Sequence, residues 1–196
     1  MTDVLNKNLF LVKEHVGMFK AANNFDIYDP ESNQMIMECR EDKLGFFTKM
    51  LRFTDYKRMT PFDIEIRTPD GTPVVQITRG VSIFLSKVQV LDGAGQPIGG
   101  FKQKFFSVGG KFDVLDTNEQ PLCTLKGKWT GWDFRFVSGE QELAHVSKKW
   151  AGLGKELFTS ADNYIITIDE QQASPGTSAL LLAAGLAIDI VFKEAE

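Results

Sequence analysis

The sequence predicts a mainly β fold, a closed antiparallel barrel of about twelve strands around a buried hydrophobic C-terminal helix. Three observations lead there. Short alternating segments recur around tight-turn clusters, there are too many of them for an open sheet, and a single nearly unbroken apolar run, SALLLAAGLAIDIVF, ends the chain.

The hairpins come in order. FDIYD is followed by QMIMEC, FDIEIR by PVVQIT across Pro69-Asp70-Gly71-Thr72, and KVQVLD by QPIGGF across Gly93-Ala94-Gly95. KFDVLD then meets PLCTLKG across TNEQ, and WDFRFV meets QELAHV across Ser138-Gly139-Glu140. Each is a strand, a turn and a strand. Pro73, Pro97 and Pro121 recur every 24 residues, which suggests a serial meander of hairpins rather than βαβ units. A closed barrel of ten to twelve such strands has an interior wider than its own side chains fill, so something must plug it.

The apolar run supplies the plug. From Ala179 to Phe192 it measures about 14 residues, roughly 21 Å as a helix, whereas a bilayer core asks for roughly 20 apolar residues. It is apolar around its whole circumference, the mark of a helix buried on all sides. Leu181, Leu182, Leu186, Ile188, Asp189 and Phe192 are the expected core positions, with Asp189 bonded to a partner inside the barrel. Ser174-Pro175 or Thr177 supplies the N-cap. No linker interrupts the pattern, so one domain is expected over 7–196, preceded by a short flexible segment, 1–6.

Composition narrows the function. With 43% hydrophobic and 24% charged residues the 196-residue chain is ordinary globular protein, and a net charge of -4 argues against nucleic acid as a partner. Cys39 and Cys123 lack CxxC spacing and read as small hydrophobes in strands. The start MTDVLNKNLF has no basic region followed by an apolar stretch, which places the chain in the cytoplasm, peripheral at the inner membrane face if a membrane is involved. With His15 and His145 the only histidines, and no HExxH, Walker or dinucleotide fingerprint, no enzyme constellation is expected.

From His145 the chain reads HVSKKWAGLGKELFTSADNYIITIDEQ, and it ends AIDIVFKE; earlier comes MTPFDIEIRTPDGTPVVQITRG. These stretches resemble the phospholipid scramblase family, related to the plant LURP-one proteins and the tubby C-terminal domain, in order and approximate spacing. The resemblance implies the same twelve-stranded barrel around a hydrophobic helix. It also implies a non-enzymatic protein that binds anionic phospholipid at a membrane surface, with transbilayer lipid movement as the activity.

Two departures qualify that implication. The family's twelve-position calcium loop begins here with Ser160 and ends with Gln171, leaving Asp162 and Asp169 as the carboxylates. Calcium takes six to eight oxygens, supplied largely by acids, so these two predict weak binding or none, and no cofactor is assigned. The palmitoylated cysteine cluster of animal scramblases is missing. In its place stands KLGFFTKMLRFTDYKR, where Leu44 to Arg58 written as a helix sets Phe46 and Phe47 with other apolar residues against Lys49 and Arg52. With Lys57 and Arg58, these suit an interfacial contact with anionic lipid. The other reading of the segment is a short helix capping one end of the barrel. For the whole chain the alternative is a soluble cytoplasmic ligand- or protein-interaction module, with pairs such as Lys102 and Lys104, Lys126 and Lys128, or Lys148 and Lys149 as contacts and no partner specified.

Overall fold

The computed structural model describes residues 3–15, 22–43, 45–51, 53–54, 60–81, 87–103, 112–128, 131–148, 163–171 and 173–193, the side chains of 46, 47, 103, 128 and 191–193 excepted. Among these residues twelve antiparallel strands close into a barrel: β1 (Leu9–Glu14), β2 (Phe25–Asp29), β3 (Gln34–Arg40), β4 (Phe62–Arg67), β5 (Pro73–Arg79) and β6 (Lys87–Asp92), then β7 (Pro97–Gln103), β8 (Phe112–Leu115), β9 (Pro121–Lys128), β10 (Asp133–Ser138), β11 (Gln141–Ser147) and β12 (Asn163–Ile168). Each strand pairs with its sequence neighbours, and β1 closes the ring on β12 with Phe10 opposite Ile166. Alternation places one side of each strand inward: Phe62, Ile64 and Ile66 of β4 are buried while Asp63, Glu65 and Arg67 face out.

The 24-residue proline spacing corresponds to three equivalent hairpins. β5, β7 and β9 each start on one of these prolines, and at each the ladder slips by one residue: beside Ile66/Arg67, Val90/Leu91 and Val114/Leu115. Proline has no N–H to donate to a ladder, so a bulge is where it fits. The turns repeat as well. Asp92 Oδ1 accepts the N–H groups of Ala94 and Gln96 at 2.9 and 2.8 Å, and Asp116 Oδ1 accepts those of Asn118 and Gln120, both at 2.8 Å. In each turn one residue adopts the left-handed backbone: Gly71 (φ 87°), Gly95 (φ 76°) and Glu119 (φ 61°). A side chain there costs roughly 1–2 kcal/mol, a cost the two glycines avoid and Glu119 bears.

α2 (Pro175–Lys193) begins where Ser174 Oγ accepts the Thr177 N–H at 3.3 Å, with Pro175 as first helical residue. Its 19 residues exceed the apolar run because the capped first turn, Pro-Gly-Thr-Ser, is polar. Every residue from Ser178 to Ile190 is buried, and the helix packs on β5, β6, β7, β8 and β12. Leu181, Leu182 and Leu186 are 0% exposed. The space left among Phe101, Phe112, Leu125, Phe136 and Ala184 is about 10 Å³, too small for a ligand. Residues 1–6, assigned by sequence to a flexible lead, include a 3₁₀ turn (Asp3–Asn6) that contacts α2 and buries Leu5.

Chain connectivity sorts the barrel's two ends. Because each hairpin turns back at the same end, the tight connections 30–33, 68–72, 93–96, 116–120 and 139–140 share one rim with the entry to α2, hereafter the turn rim. Strand ends joined by the longer connections 15–24, 41–61, 80–86, 104–111 and 148–162 meet at the opposite, loop rim.

The outer wall is charged. Asp26 lies between His15 Nε2 (2.8 Å) and Arg40 Nη2 (2.6 Å); Arg40 also holds Glu38 (2.9 Å), which in turn accepts Arg67 Nε (2.7 Å). Burial disfavours ionisation of Asp26, but hydrogen bonds from His15 and Arg40 outweigh it and hold the carboxyl below its ordinary 3.8.

Two predictions follow from this packing. Leu182→Ala removes a side chain at 0% exposure and is expected to destabilise the fold by about 2–5 kcal/mol, measured as a lower urea midpoint at unchanged m. A depressed carboxylate contributes stability that is complete above its unfolded pKa and is lost as pH falls through the folded value. The contribution of Asp26 is therefore expected intact above about pH 4 and fading below. Asp26→Asn should flatten that part of the stability–pH curve, and an identical acid limb in both proteins would contradict the assignment.

Candidate functional site

Within the segment Leu44 to Arg58 the described residues include a helix. α1 spans only Phe46–Leu51. Lys49 N–H bonds Gly45 O at 2.9 Å, and the helix stops where Phe53 N–H turns to Met50 O and Thr54 bonds Leu51 O through both N–H (3.0 Å) and hydroxyl (2.7 Å). A threonine hydroxyl returning to a carbonyl of the last turn competes with continued helix.

Among the described side chains of the segment, Met50 (55%), Leu51 (44%) and Phe53 (61%) are exposed, and Lys49 is exposed beside them. Phe46 and Phe47 lie in α1, but their side chains, like the whole of Arg52, Lys57 and Arg58, lie outside the described residues.

The loop rim holds more of this character. Val81 follows β5 at 72% exposure. Trp132, before β10, packs against Tyr164 (5.3 Å between rings) and edge-on to Phe134 (5.7 Å), while Lys148 Nζ sits 4.2 Å from its ring centre. Lys43 is exposed there too. The acids of this rim are largely engaged: Glu41 is buried and accepts both Asn23 N–H (3.0 Å) and Nδ2 (3.1 Å), and Asp42 accepts Arg67 at 3.0 Å.

The turn rim is its opposite. Glu31, Asp70, Asp92, Asp116, Glu119, Glu140, Asp169 and Glu170 all lie in or beside its turns. Its lysine, Lys7, is tied to Asp29 at 2.9 Å and holds that carboxyl below its usual range. Among the described residues the barrel thus carries a charge and hydropathy gradient along its axis, acidic at one end, basic and apolar at the other.

Of the calcium window, the described part begins at Asn163. Asp162 lies outside the described residues. Asp169 is at the far end of β12, where its Oδ1 accepts the Gln171 N–H at 2.9 Å and its carbonyl accepts Ala173 N–H at 3.0 Å. The residues between, Asn163–Ile168, are a strand paired on both sides, at about 3.3 Å per residue. Among the described residues no group of three metal-ligating side chains occurs.

Within the core, Ile188 is 2% and Asp189 3% exposed, and Phe192 is in α2 with its side chain outside the description. Burial, then the charge of Asp189 and then Cys39, raise the pKa of the Tyr164 hydroxyl. Burial also pushes the Cys123 thiol up to about 12 and the Cys39 thiol higher, so both sulfurs are unreactive core groups.

The class defined by these features is a hairpin-built barrel threaded by an apolar C-terminal helix. In keeping with it, a protein from Arabidopsis thaliana of known crystal structure superposes with a TM-score of 0.53 over 93% of this chain and 92% of its own, at 14% identity, a likeness of fold. The Scramblase family model matches residues 7–195, and the chain belongs to that family. It is 24% identical to human phospholipid scramblase 2 over 152 residues, 70% of this chain and 51% of the relative, and 25% identical to mouse phospholipid scramblase 1 over 149 residues, 68% and 45%. Altered inheritance rate of mitochondria protein 25 of Saccharomyces cerevisiae is 20% identical over 202 residues, 87% and 61%. The chain therefore spans about half to three fifths of the length of these relatives. Membership supports a phospholipid scramblase-related role.

Proposed function

We propose that this chain is a non-enzymatic, peripheral phospholipid-binding protein that meets the cytoplasmic face of a membrane with its loop rim. The observation that carries this is the exposed set Met50, Leu51 and Phe53 beside Lys49, at the end of the barrel opposite the acidic turns.

The wall and the core leave an end as the contact. A barrel in hydrocarbon needs an apolar outer band, whereas this wall carries Asp26, Glu38, Arg40, Glu65, Arg67 and Arg135. No helix among the described residues is long and apolar enough to cross a membrane. Of the two ends, the acidic one is repelled by anionic lipid. Apolar side chains at the other gain roughly 1.5–3 kcal/mol each when buried, and each lysine near an anionic surface adds about 1 kcal/mol.

Transbilayer lipid movement, the finer activity of the family name, then needs bilayer distortion or assembly of several chains, because moving a headgroup asks for a polar path across about 30 Å of hydrocarbon.

The test is co-sedimentation with vesicles of phosphatidylserine and phosphatidylcholine, with and without calcium, together with fluorescent-lipid movement in the same vesicles. Met50→Glu combined with Phe53→Glu is expected to reduce vesicle affinity at least about tenfold; both sites are exposed, so the melting temperature should hold. Unchanged sedimentation would remove the loop rim from the membrane and favour a soluble interaction module.

A further inference from the structure

A second feature lies on the barrel's side wall. A cavity of about 350 Å³ opens over β7, its lining including Thr78, Lys87, Gln89, Gly100, Thr117 and Glu119; ligand pockets start at about this size. Its floor is backbone. A Cβ on Gly100 would stand 2.3 Å from the carbonyl oxygen of Val88, so no side chain fills the depression.

Charges gather around this floor. Lys87 of β6 is directly opposite Lys102 of β7 in the ladder, a pairing that repels. Glu119 reaches Lys87 from the β8–β9 turn, across β7, and forms an ion pair with it. That bond, with the charge of Lys102, holds the Glu119 carboxyl below its ordinary 4.5. Glu119 is also the strained exception of the three repeated turns: the equivalent left-handed positions at the other two are Gly71 and Gly95. Strain kept where a glycine would serve marks a side chain with a task.

We infer that this cavity is a headgroup site for a phospholipid bearing both a phosphate and a primary amine, the phosphate on Lys87 and the ammonium on Glu119; the other carboxylate of the lining, Asp116, has its Oδ1 taken up by the N–H groups of Asn118 and Gln120. Such a zwitterion exchanges one exposed ion pair for two matched, charge-assisted contacts. A simple anion meets Glu119 as a like charge. A quaternary ammonium lacks N–H donors and prefers aromatic faces, and the aromatic residue of the lining, Phe101, is 3% exposed and packed in the core. Gly80 at the cavity edge leads directly to Val81, 72% exposed, an apolar contact for the glycerol and acyl portion. The lipid source rests on the membrane-facing reading of the loop rim; the charge recognition does not.

Titration calorimetry of the full chain with monomeric short-chain lipids tests this without a bilayer. Dihexanoyl phosphatidylethanolamine is expected to bind saturably and about tenfold more tightly than the phosphatidylglycerol and phosphatidylcholine analogues. Glu119→Gln should weaken the ethanolamine lipid about tenfold and strengthen the glycerol lipid, which loses a like charge, whereas Lys87→Gln should weaken both. Both side chains are more than half exposed, so the variants should fold, which circular dichroism checks. Equal affinity for ethanolamine and glycerol lipids, or indifference of the ethanolamine lipid to both variants, would overturn the site. Phosphorylethanolamine binding as tightly as the lipid would overturn the lipid source. Failed titration with intact vesicle sedimentation sinks the cavity alone, and the reverse result sinks the loop rim alone.

Discussion

The rest of the structure depends on the packing of α2 against the inward faces of the strands. A twelve-stranded closed sheet removes every hydrogen-bonding edge, but its interior is too wide for the strand side chains to fill. Leu181, Leu182 and Leu186, with alanines between them, complete that interior, leaving the residual space among Phe101, Phe136 and Ala184 at about 10 Å³. Barrel and helix are therefore one hydrophobic unit. The helix cannot be withdrawn to serve a membrane without opening a cavity along the whole axis, and each lost core leucine costs about 2–5 kcal/mol.

That constraint also fixes the polarity of the molecule. Since α2 enters where β12 ends, and the hairpins turn back at that same end, the turns that must be short and polar crowd one rim. Asx-type bonding in those turns is made by carboxylates at Asp92 and Asp116, so turn chemistry contributes to the acidity of that rim. The longer connections are left to the other rim, free of that requirement, and there Lys49, Met50, Leu51, Phe53 and Val81 are exposed. The charge gradient along the axis thus has a local cause at one end and room for a functional one at the other.

How much of this was legible in the sequence differs by scale. Hairpins were readable because alternation and turn residues are local: FDIEIR to PVVQIT maps directly on β4 and β5, and the proline spacing on three bulged strand starts. The helix was readable from being apolar all round, and its Ser174 cap from Ser-Pro before it. The site was less so. Helical periodicity over Leu44 to Arg58 predicts separated faces, but Thr54 bonding back to Leu51 ends α1 after six residues, a competition that periodicity does not register. Likewise the family's calcium window reads as a loop by its acids, while NYIITI within it is a strand by its β-branched residues, and pairing with β1 and β11 decides between them. Lys87 carried no signal, because its meaning comes from Lys102 and Glu119, which only the barrel brings beside it.

The comparison of the three hairpins sharpens what counts as a functional residue here. Prolines, bulges and backbone bonding recur in all three, so those features belong to the fold and need no ligand to explain them. What differs is the side chain at the left-handed position, and the difference has a direction. Gly71 and Gly95 avoid the strain, and a Cβ at either would meet nothing within 4 Å. Glu119 accepts the strain and spends it on reaching across β7 to Lys87. A surface ion pair between two largely exposed side chains adds little to stability and does not offset the strain it rides on. Folding stability alone therefore does not account for a glutamate at that turn, whereas recognition of a charged amine does.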